Sequence, residues 1–511
     1  MEFEILANPL IYFVVIPLLM LAGIGLCSNR NVGAIRAVAV IGSLALLALS
    51  TVVLIDFLQL RAADATAPMF FVNESLVWFS PLNIHLAIGV DGISVAMLML
   101  SSIILFTGTF ASWKIDQPKE FFLWLILLST GVFGFFISID LFTMFMFYEV
   151  ALIPMYLLIG VWGSGRKNYS AMKLTLMLMG GSAFLMLGLI GIYYHSSADG
   201  NLTWNLLTIA ANDAIPHGWQ NFLFPMTFVG FGVLGAMFPF HTWSPDGHAS
   251  APTAVSMLHA GVLMKLGGYG CFRVAIYLMP YAAAELSYIF LILTGISVVY
   301  GAFCACVKTD LKYINAYSSV SHCGLVLFAI LMLNTTAMTG AIMQMLSHGL
   351  MTALFFALIG MIYGRTHTRE ITKMGGLMKI MPFLGVCYVI AGMASLGLPG
   401  LSGFVSEMTI FVGSFMHSDM FHRVFTIVAC CSIVITAVYI LRVVGKLLFG
   451  PVYDEHHLSL TDATWWERLS TVTLILAVAA IGCFPNFFVD LINKTFTPEI
   501  FSVLGMTSTA L

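Results

Sequence analysis

Leu141-Phe-Thr-Met-Phe-Met-Phe-Tyr-Glu-Val-Ala-Leu-Ile-Pro-Met-Tyr156 sets one carboxylate, Glu149, between two runs of apolar and aromatic side chains with no cation within a helical turn. A run of this character is a membrane span. A charge at bilayer depth costs a few kcal/mol or more, so each one is a functional candidate by default. The competing reading of Glu149 is a structural carboxyl bonded to a neighbouring helix.

The rest of the chain agrees with a bilayer setting. Of 511 residues, 60% are apolar and 9% charged, where a soluble domain carries roughly 25% charged residues. A single soluble core of this length cannot be covered by so little polar surface. The net charge of −3 provides no basic face for nucleic acid. Nine cysteines include no C-x-x-C pair; Cys304 and Cys306, and the adjacent Cys430 and Cys431, sit in apolar runs as small buried hydrophobes. The opening Met-Glu-Phe-Glu lacks the basic flank of a cleaved signal peptide, so the first apolar run is expected to be retained.

Apolar segments of spanning length fall at 5–27, 33–57, 91–113, 120–138, 141–162, 171–194, 221–240, 253–278, 286–307, 311–332, 336–363, 380–416, 424–448 and 468–490. The cations test this division. Arg61, Arg273, Arg423 and Lys494 lie at even-numbered loops and Lys265 well inside a span; every other Lys and Arg lies at or beside an odd-numbered loop. That bias puts the odd loops in the cytoplasm and both termini on the outer side. The polar stretches 58–89 and 195–219 are too short to be catalytic domains, so any redox or nucleotide chemistry belongs to partner chains.

Three further ionisable positions stand out. Lys265, in His259-Ala-Gly-Val-Leu-Met-Lys-Leu-Gly-Gly-Tyr-Gly270, is too deep in its span to reach water easily. Glu407 follows Gly397-Leu-Pro-Gly-Leu-Ser-Gly403, a helix-breaking stretch of the kind that lines cavities in transporters. His322 and His348 lie in apolar spans beside serines, where each is as readily a satisfied core histidine as a proton carrier. A second break is Phe238-Pro-Phe-His-Thr-Trp-Ser-Pro-Asp-Gly-His248.

The breaks sit in spans seven and twelve. The expected fold is therefore an all-α integral membrane protein of about fourteen transmembrane helices, with two inverted five-helix repeats. The chain divides as helices one to three (1–113), a first repeat (114–278), a second repeat (279–448) and a last helix (449–511), all in one membrane domain. Gly230-Phe-Gly-Val-Leu-Gly235 matches the dinucleotide fingerprint G-x-G-x-x-G but lies inside an apolar helix, where small residues serve close packing.

Phe147-Tyr-Glu149, Asp91-Gly-Ile-Ser94, Pro239 to His248, Ala251-Pro-Thr-Ala-Val-Ser-Met-Leu-His-Ala-Gly-Val-Leu-Met-Lys265, Thr309-Asp-Leu-Lys312, Tyr317-Ser-Ser-Val-Ser-His-Cys-Gly324, His348-Gly349 and Gly397 to Glu407 together resemble the antiporter-like membrane subunits of respiratory complex I. The likeness covers nearly the whole chain and is nearest the subunit M, or mitochondrial chain 4, branch. It implies proton translocation across a bacterial inner membrane, driven by quinone reduction elsewhere in an NADH–quinone oxidoreductase. It further implies no cofactor in this chain, with FMN, iron–sulfur clusters and quinone in partner subunits. The implied neighbours are the antiporter-like subunits L and N and a peripheral redox arm.

By resemblance, Glu149, Lys265 and Glu407 are the relay acids and base of the fifth, eighth and twelfth helices, with His322 and His348 between them. One position departs: the family usually places a lysine five residues before the proline of the seventh helix, and here it is Leu234. Lys173, on the sixth helix, is the candidate substitute partner for Glu149. Subunits of multi-subunit cation/proton antiporters and of membrane-bound hydrogenases share this architecture and form the alternative reading.

Overall fold

Eleven helices are long and apolar enough to cross a bilayer in the computed structural model, which describes residues 8–63, 74–197 and 200–493. Glu2, Glu4 and Lys494 fall outside the described residues, as do both termini. In chain order the helices are α1 (Tyr12–Leu26), α2 (Val32–Ala63), α3 (Gly92–Ala111), α4 (Pro118–Ile137), α5 (Leu141–Trp162) and α6 (Lys167–Tyr194). After two irregular spans come α9 (Pro280–Val307), α10 (Leu311–Ile330) and α11 (Thr335–Thr366), and after a third, α13 (Met420–Leu448) and α14 (Trp465–Cys483).

Three further spans, two broken and one uneven, supply the remainder of the expected set. The seventh, α7, runs as His217–Leu234, breaks, and resumes as Trp243–Ser250. The twelfth, α12, runs as Pro382–Ser395 and Ser402–Phe415. The eighth, α8, is continuous but uneven: Thr253–Leu258 and Met264–Gly270 are α-helical, while His259–Leu263 and Cys271–Ile276 are wider π-turns. Such turns interrupt the regular bonding of a helix and recur at functional sites.

The interior of a bilayer tolerates a broken helix only where protein satisfies the freed backbone. At the α7 break the Trp243 indole donates to Val233 O (3.0 Å) and Phe238 N donates to the Ser297 hydroxyl. At the α12 break Gly397 (φ +68°) and Gly400 (φ +94°) take left-handed backbone. Gly482 of α14 lies backbone to backbone on that loop, so close that a Cβ there would meet Gly400 O at 2.3 Å.

The inverted relation between halves is visible in matching contacts. Asp140 caps α5 by accepting from Phe142 N and Thr143 N, and Asp310 caps α10 by accepting from Lys312 N and Tyr313 N. Beside each cap two chain segments are clamped. Leu141 N donates to Trp204 O and Leu206 N to Ile139 O; likewise Leu311 N donates to Arg369 O and Ile371 N to Thr309 O. The first clamp lies at an even-numbered loop and the second at an odd one, hence at opposite membrane faces. The helix pairs match too: a Cβ on Gly131 of α4 would meet Ala151 N of α5 at 2.6 Å, and one on Gly301 of α9 would meet Ser321 N of α10 at 2.7 Å.

One element departs from the all-helical expectation. Glu74–Phe79 (β1) and Ile84–Ile88 (β2) form an antiparallel hairpin ahead of α3. Asn83, at φ +52°, turns the chain between them. A six-residue strand of Glu-Ser-Leu-Val-Trp-Phe has strand-forming side chains but too short a run to register against the surrounding apolar spans.

The glycine contacts yield a test. Gly131→Val or Gly301→Val is expected to force its helix pair apart at a cost of about 1–3 kcal/mol, lowering the thermal midpoint in detergent. Gly180→Ala, where a methyl meets nothing within 4 Å, is expected to leave the midpoint unchanged.

Candidate functional site

Lys265, 2% exposed, lies on the α-helical segment between the two π-turns of α8. Across the first π-turn Met264 N donates to His259 O, five residues back, and Ala260 O accepts from the Lys265 ammonium at 2.6 Å. A second ammonium proton points at His348 Nδ1 of α11, also at 2.6 Å. Cys323 of α10 lies 4.0 Å from the ammonium. A cavity of about 10 Å³ beside Lys265 is lined by Gly235, at the α7 break, and by Cys323; it is of the order of one water.

From His348 the polar contacts continue toward Glu407. The rings of His348 and His322 are 5.2 Å apart. Two groups face His322 Nδ1: the Gln344 amide nitrogen at 3.0 Å and Glu407 Oε1 at 3.4 Å. The Ser406 hydroxyl donates to Gln344 Oε1 and fixes which end of the amide faces the ring. Four of the expected residues, Lys265, His348, His322 and Glu407, are thus in one buried row contributed by α8, α11, α10 and α12.

A second polar group fills the odd-loop end. Lys173 Nζ pairs with Asp246 Oδ2 at 2.7 Å, and the Tyr313 hydroxyl donates to Asp246 Oδ1 at 2.9 Å. The Lys312 ammonium donates to Ala251 O at 2.6 Å, and Arg369 pairs with Asp310 at 3.1 Å. Between this group and Lys265 stand His248 and His259, rings 4.3 Å apart, with a His248 ring nitrogen 3.4 Å from the Met264 sulfur.

Two sequence expectations need correction, at Lys173 and at Arg273. Lys173 is not the cation of Glu149: its carboxylate partner is Asp246 on the second half of α7. Glu149 has no ion-pair partner among the described residues; Ser182 of α6 lies beside it without closing a hydrogen bond, and its side chain is partly exposed on the flank of the bundle. Leu234, buried at the end of the first half of α7, leaves that position apolar. Arg273 is not a loop cation: it is fully buried in α8, paired with Asp91 and 5.2 Å over the Tyr269 ring. Asp91 also caps α3 through Ser94 N, so one carboxylate serves both a helix end and a buried guanidinium.

His248, His259, Gln344, Asp246 and Tyr313 were not singled out from the sequence. The density of polar residues in 238–248, beyond what capping needs, was the available signal for the first and fourth. Gln344 lies one helical turn before His348, but only the fold brings it to His322.

Comparison with known proteins gives this arrangement a family. Residues 138–436 match the model described as NADH:quinone oxidoreductase/Mrp antiporter, TM. The chain belongs to this family. NADH-quinone oxidoreductase subunit M of Rickettsia conorii is 34% identical over 89% of this chain and 90% of its own. NAD(P)H-quinone oxidoreductase chain 4-2 of Synechocystis sp. is 35% identical over 79% of this chain and 72% of its own. A chain in the structure of respiratory complex I from Thermus thermophilus with bound NADH aligns with a TM-score of 0.85 at 25% identity, covering 97% of this chain and all of that one. Within the family, the chain is a membrane subunit of the subunit M and chain 4 kind.

Asp91→Asn is expected to strand the Arg273 guanidinium in the interior, where breaking such a pair costs about 3–5 kcal/mol. The readout is the amount of assembled complex on native gels, which should fall sharply; adding Arg273→Met should restore part of it.

Proposed function

We propose that the chain moves protons through the row Lys265–His348–His322–Glu407 as part of a bacterial inner-membrane NADH–quinone oxidoreductase. The observation that carries this reading is the contact of Lys265 with His348 at 2.6 Å inside the bundle, continued through His322 to Glu407. An ammonium donating to a bare imidazole nitrogen is a proton transfer half made.

The two partners of His322 Nδ1 supply direction. While that nitrogen is bare, the Gln344 amide donates to it. Once it carries a proton, the only acceptor of the two is Glu407 Oε1. A proton reaching the ring therefore exchanges Gln344 for Glu407, and Glu407, near the even-loop end of α12, passes it outward. Lys265 is resupplied from the cytoplasmic side through His259 and His248, which lead from the Asp246 group at the odd loops.

Glu149 couples this row to its surroundings. A carboxyl on the flank of the bundle, without a cation of its own, responds to charge in the adjacent antiporter-like subunit, L or N. Because Leu234 stands where the family usually has lysine, Glu149 acts across the subunit boundary and not by exchange with a cation in the seventh helix. The odd loops face the cytoplasm and both termini the outer side. Flavin, iron–sulfur and quinone chemistry belongs to the partner subunits, and this chain contributes no redox or nucleotide site.

Lys265→Met and Glu407→Gln in the native complex are expected to lower NADH-driven acidification of inverted vesicles by about tenfold or more, in line with the removal of a proton-transferring group. NADH oxidation by ferricyanide should persist, because that reaction uses only the peripheral arm. Normal acidification in either variant would overturn the relay. Glu149→Gln is expected to reduce quinone-linked turnover and acidification together while leaving the ferricyanide rate intact.

A further inference from the structure

At the odd-loop face three helices end side by side: α2 and α14 begin there and α3 finishes there, with α2 and α14 packed on either flank of α3. Four side chains from these ends form one stack, two tryptophan rings with a cation on each. The Arg36 guanidinium sits 5.1 Å over the Trp113 ring, Trp113 stacks on Trp466 at 6.2 Å, and the Lys114 ammonium is 5.5 Å over Trp466. Neither Arg36 nor Lys114 has an ion-pair partner among the described residues, and Arg36 Nε is buried without a hydrogen-bond partner. The nearby acid, Glu467 on α14, is occupied by Arg365 through two hydrogen bonds.

Below these cations, toward the bilayer centre, the surface is apolar. The otherwise buried α3 presents Met99, Ile103 and Phe106, each partly exposed and spaced so as to share one face. On α14 the stripe running down from Trp465 exposes Leu469, Val472 and Leu476 (39, 40 and 63%); Trp465 itself leans on Phe110 of α3, which orients the stripe toward α3. On the other flank Leu44 of α2 is 52% exposed.

We propose that this groove between α2 and α14 binds an anionic phospholipid, its phosphate held between Arg36 and Lys114 and an acyl chain laid on α3. The charge and depth argue for a lipid over a protein helix. Two unpaired cations at headgroup level, flanked by tryptophans of the interfacial belt, match a phosphate diester. A covering helix would have to bring an acid to the same depth. The aromatic rings hold both cations in place and leave their outward N–H groups free to donate to phosphate oxygens.

The test uses the whole complex in phosphatidylcholine nanodiscs containing a phosphatidylglycerol probe with a photoreactive acyl chain. Light should place label on the α3 segment holding Met99, Ile103 and Phe106. Arg36→Gln with Lys114→Gln should lower that label by about tenfold, Arg36→Lys with Lys114→Arg should keep most of it, and a phosphatidylcholine probe should label weakly throughout. Native gels score assembly of each variant, and a second measurement covers a variant that fails to assemble: a photoreactive phenylalanine at 106 in the otherwise unchanged complex should give lipid adducts. Equal labelling by the two lipids, equal labelling of wild type and the glutamine variant, or a cross-link from position 106 to a neighbouring subunit would each overturn the proposal.

Discussion

An ammonium in the middle of a bilayer must be held by acceptors or it will not stay. Lys265 meets that constraint with a backbone carbonyl from its own helix and one imidazole nitrogen from α11. The carbonyl belongs to a π-turn, where the bonding register of α8 has slipped so that Met264 N reaches His259 O. The imidazole belongs to a helix of 32 residues that is almost wholly buried, which keeps His348 from drifting. The irregularity of α8, the burial of α11 and the break of α7 at Gly235 all converge on one nitrogen atom.

The two halves of the bundle solve the same packing problem twice and diverge in their ionisable side chains. The capping aspartates, the two-bond clamps and the glycine-to-backbone contacts recur between α4–α5 and α9–α10. The ionisable residues do not. The α10 and α12 half holds His322, Gln344's partner Ser406, and Glu407 in mutual contact, while in the α5 half Glu149 stands at the flank with Leu234 in place of a cation.

Much of this was legible in the sequence because oil makes simple demands. Spans of about 20 apolar residues and prolines and glycines at both breaks each have one physical reading, and isolated charges within runs mark functional candidates. Boundaries of α3, α5 and α10 fall close to those expected for that reason. What the sequence could not reveal is pairing across the chain. Arg273 reads as a loop cation because its span ends soon after, yet its carboxylate lies on α3, 182 residues away. Lys312 reads as an ordinary cytoplasmic charge and Lys173 as a candidate partner of Glu149, although Lys312 donates to Ala251 O and Lys173 pairs with Asp246. The flank position of Glu149 is equally hidden, since helical spacing alone does not say which face meets another helix.

The last membrane-spanning helix, α14, touches the loop that joins the two halves of α12. With Gly482 laid on Gly400, α14 works as a splint: the loop that carries the chain from one half of α12 to the other has a rigid backing. Whatever shifts that splint, whether a cut, a tag or a neighbour leaning on it from outside, is mechanically connected to Glu407, whose carboxylate lies against Gly397 of the same loop, without touching any titrating group.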